Sequence, residues 1–199
     1  MKDRRNMHVA LNRNSAHAIT QVALFAALTA VLGLIPKIDL PFGVPITLQS
    51  LAVMLAGCLL GGWRAFQALA LFLLAVAVGL PLLSGGRGGL GAFAAPSAGY
   101  LVGFALAAGA TGFIMGWLPR STPRRAGISA FIASAAGGLV LLHAVGIGGL
   151  MWLADMPLKQ ALMVDMAFVP GDLIKCVVCA AVVHTVAKAL PDWPLGGRA

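Results

Sequence analysis

The sequence predicts an all-α membrane protein, a compact bundle of six transmembrane helices, and three observations carry that expectation. Of the 199 residues, 60% are hydrophobic and only 10% are charged, and mean hydropathy is +0.93, so the polar surface of a soluble domain is missing. The apolar residues fall into long runs separated by loops rich in Pro, Gly and Arg. At about 20 residues per crossing, the length accommodates about six helices and no soluble domain. The chain therefore divides into a basic amino-terminal segment (residues 1–17), a six-helix domain (18–190) and a short tail (191–199).

Helix 1 is expected from Ala18 to Ile35, stopped by Pro36. The basic residues before it resemble the start of a signal peptide, but no convincing cleavage site follows and the apolar run is too long, so it is read as an uncleaved helix. Ala23/Ala27 and Ala26/Ala30 form two AxxxA registers that allow another backbone to approach closely, either inside the bundle or on a second membrane protein. Lys37 to Pro45, with prolines at 36, 41 and 45, cannot form a regular helix and is expected as an ordered loop at the membrane face. Helix 2, Ile46 to Leu60, opens with Thr47 and Gln49; the Gln49 amide serves either interhelical hydrogen bonding or recognition of a polar ligand.

Gly61-Gly62-Trp63-Arg64 makes a turn with an interfacial aromatic residue, and helix 3 runs from Ala65 to Leu80, ended by Pro81. Ser84-Gly85-Gly86-Arg87-Gly88-Gly89-Leu90-Gly91 then surrounds one arginine with five glycines. A flexible linker would not continue into Leu90, Ala92 and Phe93, which suit folding back into the bundle. Glycine lets backbone N–H groups approach a ligand, and Arg87 offers a planar fork for a carboxylate or phosphate. The stretch is not a nucleotide-binding loop, because the Lys-Ser/Thr pair is absent.

Helix 4 is expected over Ser97–Trp117, with Gly99/Gly103 and Gly112/Gly116 suited to close packing. After a basic loop, helix 5 spans Ala126 to Leu153 and carries His143, which has no acid near it in sequence and is read as a hydrogen-bonded core residue rather than a proton relay. Asp155 to Ala167 is expected as an amphipathic segment on the surface, and helix 6 runs from Pro170 to Leu190. Pro170 suits a first helical position, which sets Asp172 and Lys175 at i and i+3 on one face. Asp172 complements the helix dipole there, but Lys175 opposes it and needs a partner or water. The pair is either a polar ligand site or an ion pair that staples helices together.

The net charge of +8 does not indicate nucleic acid, since the basic residues sit at the ends and in short loops. Lys2, Arg4, Arg5, Arg13, Arg64, Arg120, Arg124, Arg125, Lys188 and Arg198, ten of the fourteen, share the side of the two termini. The excess of positive charge places both termini in the cytoplasm. Gln49, Arg87, Tyr100, Asp172 and Lys175 then gather at the outer face, as a small-molecule site requires. Cys58, Cys176 and Cys179 lie in apolar runs, which argues against a disulfide framework. Cys176 and Cys179 spell CxxC, but without nearby His or further Cys they are read as small packing residues, and no metal site is expected. An intramembrane hydrolase using Ser129 with His143 or His184 is disfavoured, since fourteen helical residues separate Ser129 from His143 by about 21 Å.

Four stretches together resemble the BioY family, biotin-specific substrate-binding (S) components of energy-coupling factor (ECF) transporters: Ala23 to Ala30, Pro45-Ile46-Thr47-Leu48-Gln49, Ser84 through Gly99-Tyr100-Leu101-Val102-Gly103-Phe104, and Val169-Pro170-Gly171-Asp172-Leu173-Ile174-Lys175. Where that family usually has Gly-Pro-Thr-Gly-Gly-Tyr, this chain has Ala95-Pro96-Ser97-Ala98-Gly99-Tyr100. The resemblance implies high-affinity biotin capture without catalysis or cofactor, in a multi-pass protein of the bacterial inner membrane. It also implies docking of helix 1, through Ala23, Ala26, Ala27 and Ala30, on a transmembrane coupling protein driven by two ATPases. The chain itself has no ATP-binding motif. Among the five polar residues, Arg87 and Lys175 suit the biotin carboxylate, Asp172 the ureido N–H groups, and Gln49 the ureido oxygen. An S component for a different vitamin is the nearest alternative.

Overall fold

The computed structural model describes residues 2–39 and 45–197, and the chain is mostly helical. α1 (Lys2–Gly33) begins well before the expected Ala18. No Pro or Gly interrupts residues 2–32, so the basic segment continues the helix without a break; the apolar part suited to spanning is Ala16–Gly33. Beyond Pro36, β1 (Ile38–Asp39) pairs antiparallel with β2 (Pro45–Ile46). The expected loop is thus in part a small hairpin; its residues 40–44, including Phe42, Gly43 and Val44, lie outside the described residues. Because Ile46 is held in that hairpin, α2 (Gln49–Leu60) starts three residues later than expected.

α2 is the centre of the bundle, with ten of its twelve residues buried, and it packs against α3 (Gly62–Ala77), α4 (Ala98–Trp117) and α8 (Val169–Ala189). Gly61, at φ +83°, makes the turn into α3. α4 approaches that turn so closely that a Cβ on Gly112 would sit 2.3 Å from the Gly62 nitrogen. At the other end of α4, a Cβ on Gly99 would lie 2.7 Å from the Gly149 Cα. The glycines at 99 and 112 therefore seat α4 against two neighbours by direct backbone contact.

The expected helix 5 is continuous from Pro123 to Leu153 but not uniform: α5 (Pro123–Ala133), a π-helical stretch (Ser134–Leu141) and α6 (Leu142–Leu153). It starts at Pro123 because the Thr122 hydroxyl caps it, accepting from the Arg125 N–H. α7 (Leu158–Met166) occupies the segment expected on the surface, and the surface reading is corrected at one residue: Asp165 is only 3% exposed and points inward. Among the described residues, four helices are long and apolar enough to cross a membrane, Ala16–Gly33, Ala98–Trp117, Pro123–Leu153 and Val169–Ala189; α2 and α3 are apolar but shorter.

The small-residue stripe of α1 divides. Ala23 and Ala27 are exposed, whereas Ala26 is buried and Ala30 packs against the core. One register thus serves the bundle, and the other is open on its outside.

Candidate ligand-binding site

The site begins with the first turn of α8. Pro170 has no N–H to leave unsatisfied there, and Phe168 packs inward just before it. Asp172, in that same turn, and Lys175, three residues on, are both buried and paired, with Lys175 Nζ 2.7 Å from Asp172 Oδ1. Lys175 also donates to the Thr47 carbonyl oxygen at 2.7 Å and to Ser50 Oγ at 2.9 Å. An ammonium has three N–H donors, and all three are engaged by the chain. Ser50 in turn donates to Asp172 Oδ1 at 2.9 Å. The non-helical residues before α2 leave the Thr47 carbonyl free of a helical partner, which is why it is available to the ammonium.

The other carboxylate oxygen faces α6. His143 Nε2 lies 2.8 Å from Asp172 Oδ2, and His143 Nδ1 lies 2.9 Å from Asp165 Oδ2. Tyr100 donates its hydroxyl proton to Asp165 Oδ1 at 2.8 Å. Side chains of α2, α4, α6, α7 and α8 thus form one continuous polar chain in an otherwise apolar bundle. Tyr100 and Phe168, with ring centroids 5.5 Å apart, cover it on one side.

Above this chain lies a half-open pocket with about 640 Å³ of non-atom space, its mouth included. Its polar lining includes Gln49, Ser84, Arg87, Tyr100, Asp172 and Lys175, and its apolar lining Leu101, Phe104, Leu142 and Phe168. All five residues singled out in the sequence therefore meet in one cavity. The glycine stretch that brings Arg87 there is an ordered turn: Leu83 and Arg87 are bridged, and Gly85 and Gly86 have φ of +79° and +71°, values that glycine adopts without strain. Past it, Ala92 and Phe93 fold against the core as expected, but Leu90 does not; it is 74% exposed.

Two groups in the pocket wall stand out as unsatisfied. Arg87 Nε and Ser84 Oγ are buried with no hydrogen-bond partner, a state that polar groups in proteins rarely sustain without a ligand or water. Gln49 differs, because its Nε2 donates to the backbone oxygens of Thr29 at 3.1 Å and Leu82 at 3.2 Å. Both amide protons are thereby used, so the expectation that Gln49 donates to a ligand oxygen is corrected: only its Oε1 remains to interact, as an acceptor.

Ser50, Ser84, Asp165 and the role of His143 escaped the sequence reading. His143 is a hydrogen-bonded core residue as expected, but the acids it meets are 22 and 29 residues away in sequence. Ser129, the nucleophile of the hydrolase alternative, donates its proton to the Pro119 carbonyl oxygen at 2.6 Å. The CxxC cysteines are both buried and face α2.

The chain is similar to known proteins over most of its length. A family model described as the BioY family matches residues 4–192. The "Biotin transporter BioY" of Rhodobacter capsulatus is 46% identical over 184 residues, covering 87% of this chain and 95% of the relative. That of Rhizobium etli is 45% identical over 183 residues, covering 90% and 98%. The crystal structure of an S-component for biotin from an ECF-type ABC transporter superposes with a TM-score of 0.79 at 29% identity, covering 89% of this chain and 94% of the other. A match that runs from α1 to the end of α8, in sequence and in fold, establishes that this chain belongs to the BioY family.

Proposed function

We propose that this chain is the biotin-capturing S component of an ECF transporter, with six membrane crossings, both termini in the cytoplasm and the polar pocket open to the outside. It performs no chemistry on its ligand. The observation that carries the reading is the pairing of a saturated ammonium with an unsatisfied guanidinium. Lys175 has no donor left, whereas Arg87 Nε is buried in the pocket wall without a partner. Arg87 therefore takes the biotin carboxylate. Asp172 accepts from a ureido N–H through the lone pair of Oδ2 that His143 leaves free, Gln49 accepts rather than donates, and Tyr100 contributes its ring, since its hydroxyl is committed to Asp165.

Equilibrium binding of labelled biotin to the purified protein in detergent tests the function, with other vitamins as competitors. Saturable binding that only biotin displaces is expected; displacement by a different vitamin would reassign the ligand. The neutral amide of biotin should bind at least tenfold more weakly, about 1.4 kcal/mol, and that preference should vanish in Arg87→Ala. Persistence of the preference without Arg87 would move the carboxylate elsewhere.

The coupling protein, driven by two ATPases, is the proposed partner of α1. Its surface is the open register of Ala23 and Ala27, with Ala26 and Ala30 serving the bundle. Ala27→Trp should prevent co-purification of the coupling complex and leave biotin binding intact, while Ala26→Trp should destabilise the isolated protein. The opposite pattern would reverse the assignment of the two registers.

A further inference from the structure

The polar chain between α7 and α8 has a proton count fixed by its geometry. Both nitrogens of His143 lie within 2.9 Å of a carboxylate oxygen, Nδ1 at Asp165 and Nε2 at Asp172. A neutral imidazole donates from one nitrogen only, and its other nitrogen presents a lone pair. With two ionised carboxylates and a neutral imidazole, one of these contacts would set a lone pair against a carboxylate oxygen in a buried site. Buried polar groups are costly when one contact of a network fails. One additional proton within the trio removes the conflict.

The geometry points to a proton held at neutral pH between Asp165, His143 and Asp172 as a structural part of the ligand site, with His143 as the positioning residue that aims Asp172. The trio then carries one net negative charge, which Lys175 neutralises at 2.7 Å. Among the described residues, the charged and titratable groups facing the trio are Tyr100 from α4, and Lys175 and Cys176 from α8; α2 contributes the neutral Ser50, and Arg87 lines the same pocket. With the trio and Lys175 balanced, Arg87 is left as the uncompensated charge for an anionic ligand. Loss of the proton would put a second negative charge beside the ligand and turn Asp172 away from His143.

The inference rests on the biotin reading for its ligand, but the unfolding measurement that tests it does not. His143→Gln keeps a donor toward Asp172 while presenting its amide oxygen to the Asp165 carboxylate, so it recreates the conflict and adds a negative charge. Adding Asp165→Asn resolves it: the new asparagine amide donates to the oxygen of the introduced glutamine and still accepts from Tyr100, and the trio returns to one negative charge without a titrating proton. His143→Gln should lower biotin affinity at least tenfold, and the double variant should restore it to within about threefold. Wild-type affinity should fall as the pH is raised into the alkaline range, whereas the double variant should be insensitive over that range.

Thermal unfolding of the ligand-free proteins in detergent should follow the same order, the single variant melting lowest and the double near wild type. If His143→Gln does not fold, Asp165→Asn alone serves: it supplies the missing donor to His143 and should lose the alkaline fall. A double variant no better than the single, or an Asp165→Asn pH profile identical to wild type, overturns the shared proton. Should wild type fail to bind biotin, the function is wrong, and the unfolding order still decides the proton.

Discussion

α2 and α8 face each other along the bundle, and the two ends of that contact are built from different chemistry. At the site end, Ser50, Asp172 and Lys175 meet at 2.7–2.9 Å with every ammonium proton engaged. Further in, the same two helices meet through sulfur: Met54 lies 4.0 Å from Cys176, and Cys58 lies 3.8 Å from Cys179. A buried charge requires its complete set of partners, so each residue at the site end is tied to several others. Thiols and thioethers behave as soft apolar groups and require only that the space be filled. One end of the helix pair is therefore specified by bonding and the other by volume.

That contrast ranks the effects of substitution. Lys175→Ala should be the most damaging, because it takes the ammonium from the Asp172 carboxylate and the donor from the Thr47 carbonyl together; breaking a buried ion pair costs about 3–5 kcal/mol. A large fall in melting temperature and at least a tenfold loss of biotin affinity are expected. Full affinity in a folded Lys175→Ala protein would reduce the pair to a helix staple. Ser50→Ala removes the hydroxyl that bridges acid and ammonium and leaves one N–H of Lys175 unanswered, for about 1–3 kcal/mol. Its losses in binding and melting temperature should fall between those of Lys175→Ala and the sulfur end. Cys179→Ala should do least, roughly 1 kcal/mol of stability on the scale of one buried methylene, with biotin affinity unchanged. A Cys179→Ala protein that binds as poorly as Ser50→Ala would show that the two ends are not separate.

The same contrast explains what the sequence disclosed. Asp172 and Lys175 were legible because their partnership is local, three residues apart on one helix, and because a cation near the start of a membrane helix lacks a cheap explanation. Arg87 was legible from the glycines that surround it. His143 and Asp165 were not, since their partnership depends on how α6, α7 and α8 pack, and nothing within one turn of either residue points to the other. Gln49 was found for a sound reason, an amide near the start of a membrane helix, but its bonds to Thr29 and Leu82 depend on where α1 ends and the glycine turn begins. The helices emerged from hydropathy and Pro/Gly punctuation to within a few residues. The exception was α1, whose polar first half carries no apolar signal and yet contains no helix breaker. The division of labour between the two alanine registers needed the packing of α1 itself.

The π-helical stretch Ser134–Leu141 has a consequence for reading this helix as a dial. Hydrogen bonds that span i to i+5 place more residues in each turn than α-helical ones, so the stretch resets the angular phase of everything after it. Each residue of an α-helix advances the face by about 100°, and His143, two residues beyond the stretch, inherits the full offset. Gly137 and Gly138 make the broad turn fit: a Cβ on Gly137 would lie 2.3 Å from Thr111 Oγ1, and one on Gly138 2.5 Å from Met54 Cγ. Shortening the stretch by one residue would leave α5 facing as it does now and rotate His143 off the line between its two carboxylates. The length of the wide turn, more than the identity of any residue in it, sets the direction in which the imidazole points.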